Sequence, residues 1–208
     1  TIFVAMTAEE PCLYFQDVVS AQDEHSDNEL SLAFFELANA KLVGFRLNSR
    51  QMRKKRKSSV IVVKQDAGAC GQHTGGIVWE TCYLLMNFLL SRREKLGNVL
   101  EVGAGCSMLG LVLQASGFAK RVVLTEAPNV MENLLDNVKR NQRVSKKAVG
   151  CQLDWNYYKR DAQTADSLLR PHSFDTIVGT DVIFAPSLVE PLLQTLQYMS
   201  HEQTVVYL

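Results

Sequence analysis

The sequence has 208 residues, of which 47% are hydrophobic and 21% charged, so the chain is long enough to bury one sizeable α/β core. Its 22 basic residues balance its 22 acidic residues, and no net field therefore favours nucleic acid or an anionic membrane as a partner. Five widely spaced cysteines without a C-x-x-C pair are typical of reduced thiols, which indicates the cytoplasm, with the nucleus as a further candidate compartment.

The ends and the apolar runs of the sequence carry no targeting signal. No run is long enough to span a bilayer, and no N-terminal segment resembles a signal peptide, so we expect no membrane partner. The sequence lacks an initial Met and stops within an apparent strand. We therefore expect it to be an excerpt of a longer protein.

The N-terminal part is the least regular. Strand-like runs occur at residues 11–19 and 42–47. Between them, residues 31–40 predict a short helix with Leu32 and Phe35 buried.

A basic run follows at residues 53–57, with five consecutive positive charges. We interpret it as the solvated tip of a hairpin between strands at 43–47 and 59–64. A nuclear-import patch and a docking site for an acidic partner remain alternatives. We expect an N-terminal extension at residues 1–65 and an α/β domain at residues 66–208.

Trp79 begins an apolar helical face three residues after a glycine pair. A tryptophan at a helix start packs in the core in many proteins, but its place just before the central strand favours a ligand contact. Cys70 and His73 could form half of a metal site, but no matching second half follows, and we expect no metal.

The stretch 98–110, NVLEVGAGCSMLG, predicts a strand, a glycine turn and a helix. The apolar run ending near Glu101 is typical of a strand buried on both faces. The chain then turns through residues 103–105, and Ser107 is a favourable N-cap for the helix. Such a turn lets a ligand approach bare backbone and points N–H groups at it.

The spacing of the glycines restricts the class of ligand. A dinucleotide fingerprint would place its third glycine at Met108, whereas here it is Gly110. A P-loop would end in Gly-Lys-Ser/Thr, and this stretch does not. By itself, the pattern E-x-G-x-G is compatible with a cofactor site or with an ordinary strand-turn-helix.

The next predicted strand, residues 121–125, ends at Glu126. An acid about 20 residues beyond the glycine turn is placed to accept hydrogen bonds from a ribose diol. It would equally favour the dipole of the following helix, which we expect to begin at Pro128. The two roles are compatible.

Residues 148–153 predict a third strand, followed by Asp154 and Trp155. There an acid can accept a hydrogen bond from an adenine amino group and an indole can lie against the ring, although Trp155 could instead cap the core. Residues 174–180 predict a fourth strand that ends next to Asp181.

A helix is then expected from Pro186, with Ser187 and Glu190 at the spacing of a capping box, and residues 204–208 begin a fifth strand. Strands that alternate with helices imply right-handed crossovers and a parallel sheet. We therefore expect an α/β fold, a Rossmann-like, doubly wound, mostly parallel sheet with an N-terminal β-hairpin extension. The candidate groups at strand ends are Glu101, Gly103, Glu126, Asp154, Trp155 and Asp181.

Five short motifs are GGIVWE at 75–80, EVGAG at 101–105, TE at 125–126, LDW at 153–155 and GTDVIF at 179–184. In combination they resemble the seven-β-strand S-adenosylmethionine-dependent methyltransferases. Within that class they look like the methyltransferase-like protein-lysine methyltransferases, which modify chaperones, elongation factors and the valosin-containing ATPase. The resemblance implies S-adenosylmethionine as cofactor, S-adenosylhomocysteine as product and a protein substrate. The last two strands of that fold are missing from this sequence.

The resemblance also implies roles for individual residues. Trp79 and Glu101 would contact the methionine end, Glu126 would hold the ribose and Trp155 would lie against the adenine. The cofactor-binding residues that we expect are Trp79, Glu101, Gly103, Ala104, Gly105, Glu126, Ala127, Asp154, Trp155 and Thr180.

The substrate-side motif of the family is D-x-x-Y, which here ends in Phe184 after Asp181. We expect Asp181 to orient the substrate nitrogen and Phe184 to shape its channel.

A protein-arginine methyltransferase is similar at Ser107 and Phe184, so arginine is an alternative to lysine. A non-catalytic interaction protein that keeps the pocket is another alternative. A nucleic-acid adenine methyltransferase would carry [N/D/S]-P-P-[Y/F/W] after the fourth strand, and TDVIF does not match.

Overall fold

The computed structural model describes residues 12–20, 27–53, 59–66, 68, 74–165 and 168–208. The strands are β1 (Cys12–Tyr14), β2 (Leu42–Leu47), β3 (Ser59–Lys64), β4 (Gly97–Glu101), β5 (Ala119–Glu126), β6 (Ala148–Gln152), β7 (Thr176–Val178) and β8 (Val205–Tyr207). The helices are α1 (Phe15–Ser20), α2 (Asp27–Asn39), α3 (Glu80–Arg92), α4 (Met108–Ser116), α5 (Met131–Asn141), α6 (Tyr158–Thr164) and α7 (Pro186–Met199), and a 3-10 turn covers Trp155–Tyr157.

The main sheet has the strand order β6-β5-β4-β7-β8, and every pair of neighbours is parallel. The chain runs outward from β4 through β5 to β6 and then returns to the other side of β4 with β7 and β8. This doubly wound order confirms the Rossmann-like prediction. It also places the reversal of strand order between β4 and β7, where open α/β sheets bind ligands.

Alternate residues of β4 pack into different cores, which explains its continuous apolar run. Leu100 belongs to a core with Ile177 and the α7 residue Leu192, whereas Val99 belongs to a core on the other face of the sheet. The sheet is therefore covered on both faces, as in a doubly wound fold.

A second, three-stranded sheet has the order β1-β2-β3. Its β2 and β3 form the predicted antiparallel hairpin, with Leu42 opposite Lys64 and Leu47 opposite Ser59. Residues 54–57 of the basic run lie outside the described residues, so its placement at the tip stays a prediction. The hairpin packs into the same core as α4, since Phe45 shares a cluster with α4 residues.

Two expectations for the N-terminal part are wrong. The strand predicted over 11–19 ends at Tyr14, and the chain continues as α1. Phe35 is 67% exposed, whereas Ala33 and Leu37 are buried. Ala33 and Leu37, which lie one turn apart on one face of the helix, belong to the core, and Phe34 packs against it.

Two helix starts also differ from the prediction. Pro128 lies in a turn closed by the Val130 N–H and the Ala127 carbonyl, 3.0 Å apart, so α5 begins only at Met131. The predicted capping box at Ser187 is absent from α7, because Pro186 is already helical and the N-cap is Ala185, without a side-chain cap.

No helix among the residues described is long and apolar enough to cross a membrane.

Candidate active site

A cleft of about 550 Å³ opens at the carboxyl ends of β4, β5, β6 and β7. The cleft is lined by all twelve residues that we expect to bind the cofactor or act on the substrate: Trp79, Glu101, Gly103, Ala104, Gly105, Glu126, Ala127, Asp154, Trp155, Thr180, Asp181 and Phe184. They meet because the carboxyl ends of parallel strands share one edge of the sheet.

The glycine turn presents backbone to the cleft. Gly103 has φ of +62°, and an added Cβ would stand 2.8 Å from Val182 Cγ1 and 3.4 Å from the Trp155 ring. A side chain at this position would thus be strained and would also occupy the cleft.

Glu101 caps helix α4 from the end of β4. Its Oε2 accepts the Gly110 N–H at 2.9 Å, which is one of the N–H groups that the first turn of a helix leaves free. An added Cβ at Gly110 would collide with this carboxylate. The third glycine of the motif therefore makes room for Glu101.

Ser107 stands at the predicted N-cap position of α4, but its side chain makes no capping hydrogen bond. It has φ of +68°, and its buried Oγ has no hydrogen-bond partner in the described part of the chain. A capping residue needs an extended backbone to aim its oxygen at the helix, and the left-handed turn rules this out.

Burial raises the pKa of Glu101 to about 8, against the opposing hydrogen bond from Gly110 and with a further increase from the nearby Glu126. The side chain is 3% exposed. A cationic ligand next to such a buried carboxyl group would lower its pKa again, because a nearby positive charge stabilises the ionised form.

Glu126 ties β5 to the glycine turn. Its Oε1 accepts the Gly105 N–H at 3.2 Å and its Oε2 accepts the Ala127 N–H at 2.6 Å. Burial raises the pKa of Glu126, although these two hydrogen bonds oppose the shift. Each carboxylate oxygen retains a further lone pair for a ligand hydroxyl.

The end of β6 is held by hydrogen bonds to two acids. Asp154 Oδ1 accepts the Asn156 N–H at 2.9 Å, which starts the 3-10 turn that contains Trp155. The Asp154 N–H in turn donates to Oδ2 of the buried Asp161 at 2.9 Å. Trp155 is partly buried against the α7-side core.

Trp79 stands at the N-cap of α3 on the opposite wall of the cleft. Its indole Nε1 donates to the Thr74 carbonyl at 3.0 Å, and 39% of the residue is exposed. The indole ring is therefore packed on one part of its surface and accessible to a ligand on another.

Asp181 and Phe184 form the outer part of the cleft. Asp181 has φ of +56°, and its Oδ2 accepts a hydrogen bond from Thr81 Oγ1 of α3. Phe184 is 54% exposed. The carboxylate and the aromatic ring thus lie at the mouth, where a large substrate could reach them.

Sequence reasoning missed several residues of this site. Thr81, which holds Asp181, gave no signal because its partner is 100 positions away. Asn129 and Asn156 line the cleft but belong to turns whose shape is not readable from residue types. Gly75, also in the lining, was noticed only as part of a glycine pair.

No group of three or more His, Cys, Asp or Glu side chains in the described ranges could hold a metal ion. Cys70 and His73, the candidate half-site, lie outside those ranges.

The cleft suits a ligand with a cationic end, a diol and a flat ring. The cationic end would meet the buried carboxyl of Glu101, and the backbone cradle at Gly103 leaves room beside it. The diol would meet Glu126. S-adenosylmethionine combines these three chemical features, so the residues present fit it.

The sheet order and the cleft at its switch point define a Rossmann-like α/β protein of the nucleotide-cofactor type. Residues 55–208 match the model of a family described as lysine methyltransferase, and the chain belongs to this family.

Three curated proteins with similar sequences are named as methyltransferases of lysine or arginine. Protein-lysine methyltransferase METTL21E of Mus musculus is 28% identical over 144 residues, or 64% of this chain and 54% of the relative. Protein N-lysine methyltransferase METTL21A of Xenopus tropicalis is 31% identical over 156 residues, or 71% and 65%. Histone-arginine methyltransferase METTL23 of Xenopus laevis is 31% identical over 130 residues, or 60% and 51%. The chain spans about half to two thirds of the length of these relatives.

Proposed function

We propose that this chain is the catalytic unit of an S-adenosylmethionine-dependent protein-lysine N-methyltransferase. One observation carries the proposal: a chain of the lysine methyltransferase family gathers all twelve expected residues around a single cleft at the switch point of its sheet. The names of two relatives, which specify lysine in proteins, support the choice of substrate.

The cofactor half of the cleft would be formed by the ends of β4, β5 and β6 and by the start of α3. S-adenosylmethionine, when bound, supplies a methyl group on a positively charged sulfur. Glu101 and Trp79 would hold its methionine end, Glu126 its ribose, and Asp154 with Trp155 its adenine. The buried carboxyl of Glu101 would ionise beside the ammonium group, because a positive charge favours the ionised form.

The substrate half would be formed by Asp181 and Phe184. A lysine amine has an ordinary pKa of about 10.4 and must lose its proton before it can attack. Removal from water beside Phe184 would lower that pKa. Thr81 occupies one oxygen of Asp181, which leaves Oδ1 to orient the amine.

An arginine substrate is the second candidate. It rests on Phe184, which stands where the family motif has tyrosine, and on the relative named as a histone-arginine methyltransferase. We favour lysine because it is the residue in the family's description. We further propose that the protein acts in the cytoplasm, with the nucleus as the alternative, without a metal and on a protein such as a chaperone or elongation factor.

The first test is a calorimetric titration of the protein with S-adenosylmethionine. We expect saturable binding by the wild type and none by Glu126→Ala, because the variant loses both the ribose acceptor and the anchor of Gly105. Glu132→Ala, at an exposed site in the first turn of α5, is the matched control and should bind normally. A folded wild type that does not bind would contradict the enzyme proposal and favour the interaction protein.

The second test adds a radiolabelled methyl donor and cell lysate. We expect label in protein, recovered as methyl-lysine after hydrolysis, and its loss with Asp181→Asn. Recovery as methyl-arginine would select the alternative substrate. Unchanged labelling by Asp181→Asn would show that Asp181 does not orient the nitrogen.

A further inference from the structure

Helix α5 pairs with the edge of β3 through asparagine side chains, of which Asn137 and Asn141 make two bonds each and Asn133 makes one, to the Lys64 carbonyl at 3.4 Å. Asn141 accepts the Val62 N–H at 3.0 Å and donates to the Val62 carbonyl at 2.7 Å. Asn137 likewise accepts the Lys64 N–H at 2.7 Å and donates to the Lys64 carbonyl at 2.9 Å. Since β3 is the outer strand of its sheet, these two amides, the asparagine ladder, satisfy backbone groups that a neighbouring strand would otherwise bind.

Asn137 makes one contact that Asn141 does not. Its Nδ2 also donates to the carbonyl of Cys106 at 3.2 Å. The corresponding Nδ2 of Asn141 donates instead to the Asn137 carbonyl within α5, at 2.9 Å. Cys106 follows Gly105 directly and lines the cleft. The two asparagines therefore do the same for β3, but only Asn137 reaches the cofactor turn.

The turn at residues 103–106 is consequently held from two sides. Glu126 accepts the N–H of Gly105, and Asn137 donates to the carbonyl of the next residue. Asn137 is fully buried, so its removal leaves the Lys64 N–H and the Cys106 carbonyl without this partner in the protein interior. The Lys64 carbonyl keeps a hydrogen bond from Asn133 at 3.4 Å.

We propose that Asn137 is a positioning residue for the cofactor-binding turn and couples it to strand β3. The part of this inference that concerns the cofactor rests on the proposed function. The part that concerns the turn does not, because the hydrogen bonds are present in the protein alone. Any ligand that orders the turn must then also order β3, since coupling between two sites is reciprocal.

The test compares Asn137→Ala with Asn141→Ala, each of which removes two side-chain bonds to β3, those to Lys64 in the first variant and those to Val62 in the second. Both should lower the melting temperature. In hydrogen exchange without ligand, only Asn137→Ala should speed exchange of the peptide that covers residues 103–107. In calorimetry, it should raise the Kd for S-adenosylmethionine about tenfold, the loss expected for one buried hydrogen bond, while Asn141→Ala should stay near the wild-type value.

Equal exchange at 103–107 in both variants would overturn the proposal, because the effect would then reflect general destabilisation. If Asn137→Ala does not fold, hydrogen exchange in the wild type tests the proposal instead. Saturation with S-adenosylmethionine should slow exchange at Val62 and Lys64 as well as at the turn, and protection confined to the turn would overturn the coupling. A wild type that binds no cofactor refutes the proposed function, while the ligand-free exchange comparison still decides the role of Asn137.

Discussion

Glu101 serves the fold and the cleft with one carboxyl group. It holds the Gly110 N–H at the start of α4 and lies buried in the wall of the cleft. Its raised pKa, about 8, follows first from that burial. The same side chain thus stabilises the helix, and its protonation depends on the charge of the ligand that enters the cleft.

The pKa of Glu101 predicts how stability depends on pH in the ligand-free protein. The folded pKa of about 8 lies above the ordinary 4.5, so between these values the folded state holds a proton that the unfolded state has released. The free energy of unfolding should therefore fall as the pH rises from 5 towards 8, by up to about 1.4 kcal/mol per pH unit from this group.

Urea unfolding at pH 5.5 and 7.5 measures this dependence. Glu101→Gln should flatten it, and Glu126, whose pKa is also raised by burial, contributes in the same direction. The same slope in wild type and Glu101→Gln would show that Glu101 titrates normally.

At the scale of elements, the end of β6 depends on Asp161 in α6. Burial tends to raise the pKa of this carboxyl, but hydrogen bonds from the Asp154 N–H, Arg160 and Gln152, together with the charge of Arg160, lower it overall. The carboxylate therefore fixes the chain where it leaves the sheet and begins the turn that contains Trp155.

We expect Asp161→Asn to weaken S-adenosylmethionine binding about tenfold, because an amide accepts these hydrogen bonds less strongly than a carboxylate. Asp175→Asn is the control, since Asp175 also accepts a backbone N–H, that of Asn98, at the other end of β4. Calorimetry should show weaker binding for the first variant only. Equal affinities would mean that the β6 turn holds its shape without Asp161.

Helix α5 shows why sequence patterns reveal some functions of an element and not others. A helix is predicted here from Pro128, and within it Leu134 is buried while Leu135 is 47% exposed. Asn137 and Asn141 gave no signal, because asparagines at helical spacing are typical of a solvated face. Their partners on β3 lie 73 and 79 positions away, so only the packed structure brings them together.

For the molecule as a whole, the arrangement of the cleft could be predicted because it follows from topology. Once the strands are parallel, Glu101, Glu126, Asp154 and Asp181 must reach the same edge of the sheet. What could not be predicted are side-chain bonds between distant segments, such as Thr81 to Asp181, and local backbone choices such as the left-handed Ser107. These depend on packing that residue types alone do not specify.

The division of the chain at residue 65 stays a prediction, and the core suggests how to test it. Phe45 of the hairpin is fully buried in a cluster that continues into α4, so hairpin and main sheet should unfold together. Phe45→Ala should lower the free energy of unfolding by about 3–5 kcal/mol, and Phe35→Ala, at an exposed site, should change it little.

Far-UV circular dichroism and tryptophan fluorescence measure this cooperativity. Both tryptophans of the chain, Trp79 and Trp155, line the cleft, so fluorescence reports the main sheet. The two signals should have the same midpoint in wild type and in Phe45→Ala. Separate midpoints would mean that the hairpin is an independent unit.

The asparagine ladder also has a consequence for the order of events during synthesis. Val62 leaves the ribosome 79 residues before Asn141, which at about 5–20 residues per second is a delay of roughly 4–16 s. Through that interval the apolar strand β3, SVIVVK, has an open edge that can pair with another nascent chain. The synthesis of helix α5 therefore sets how long this edge stays open to such pairing in each new molecule.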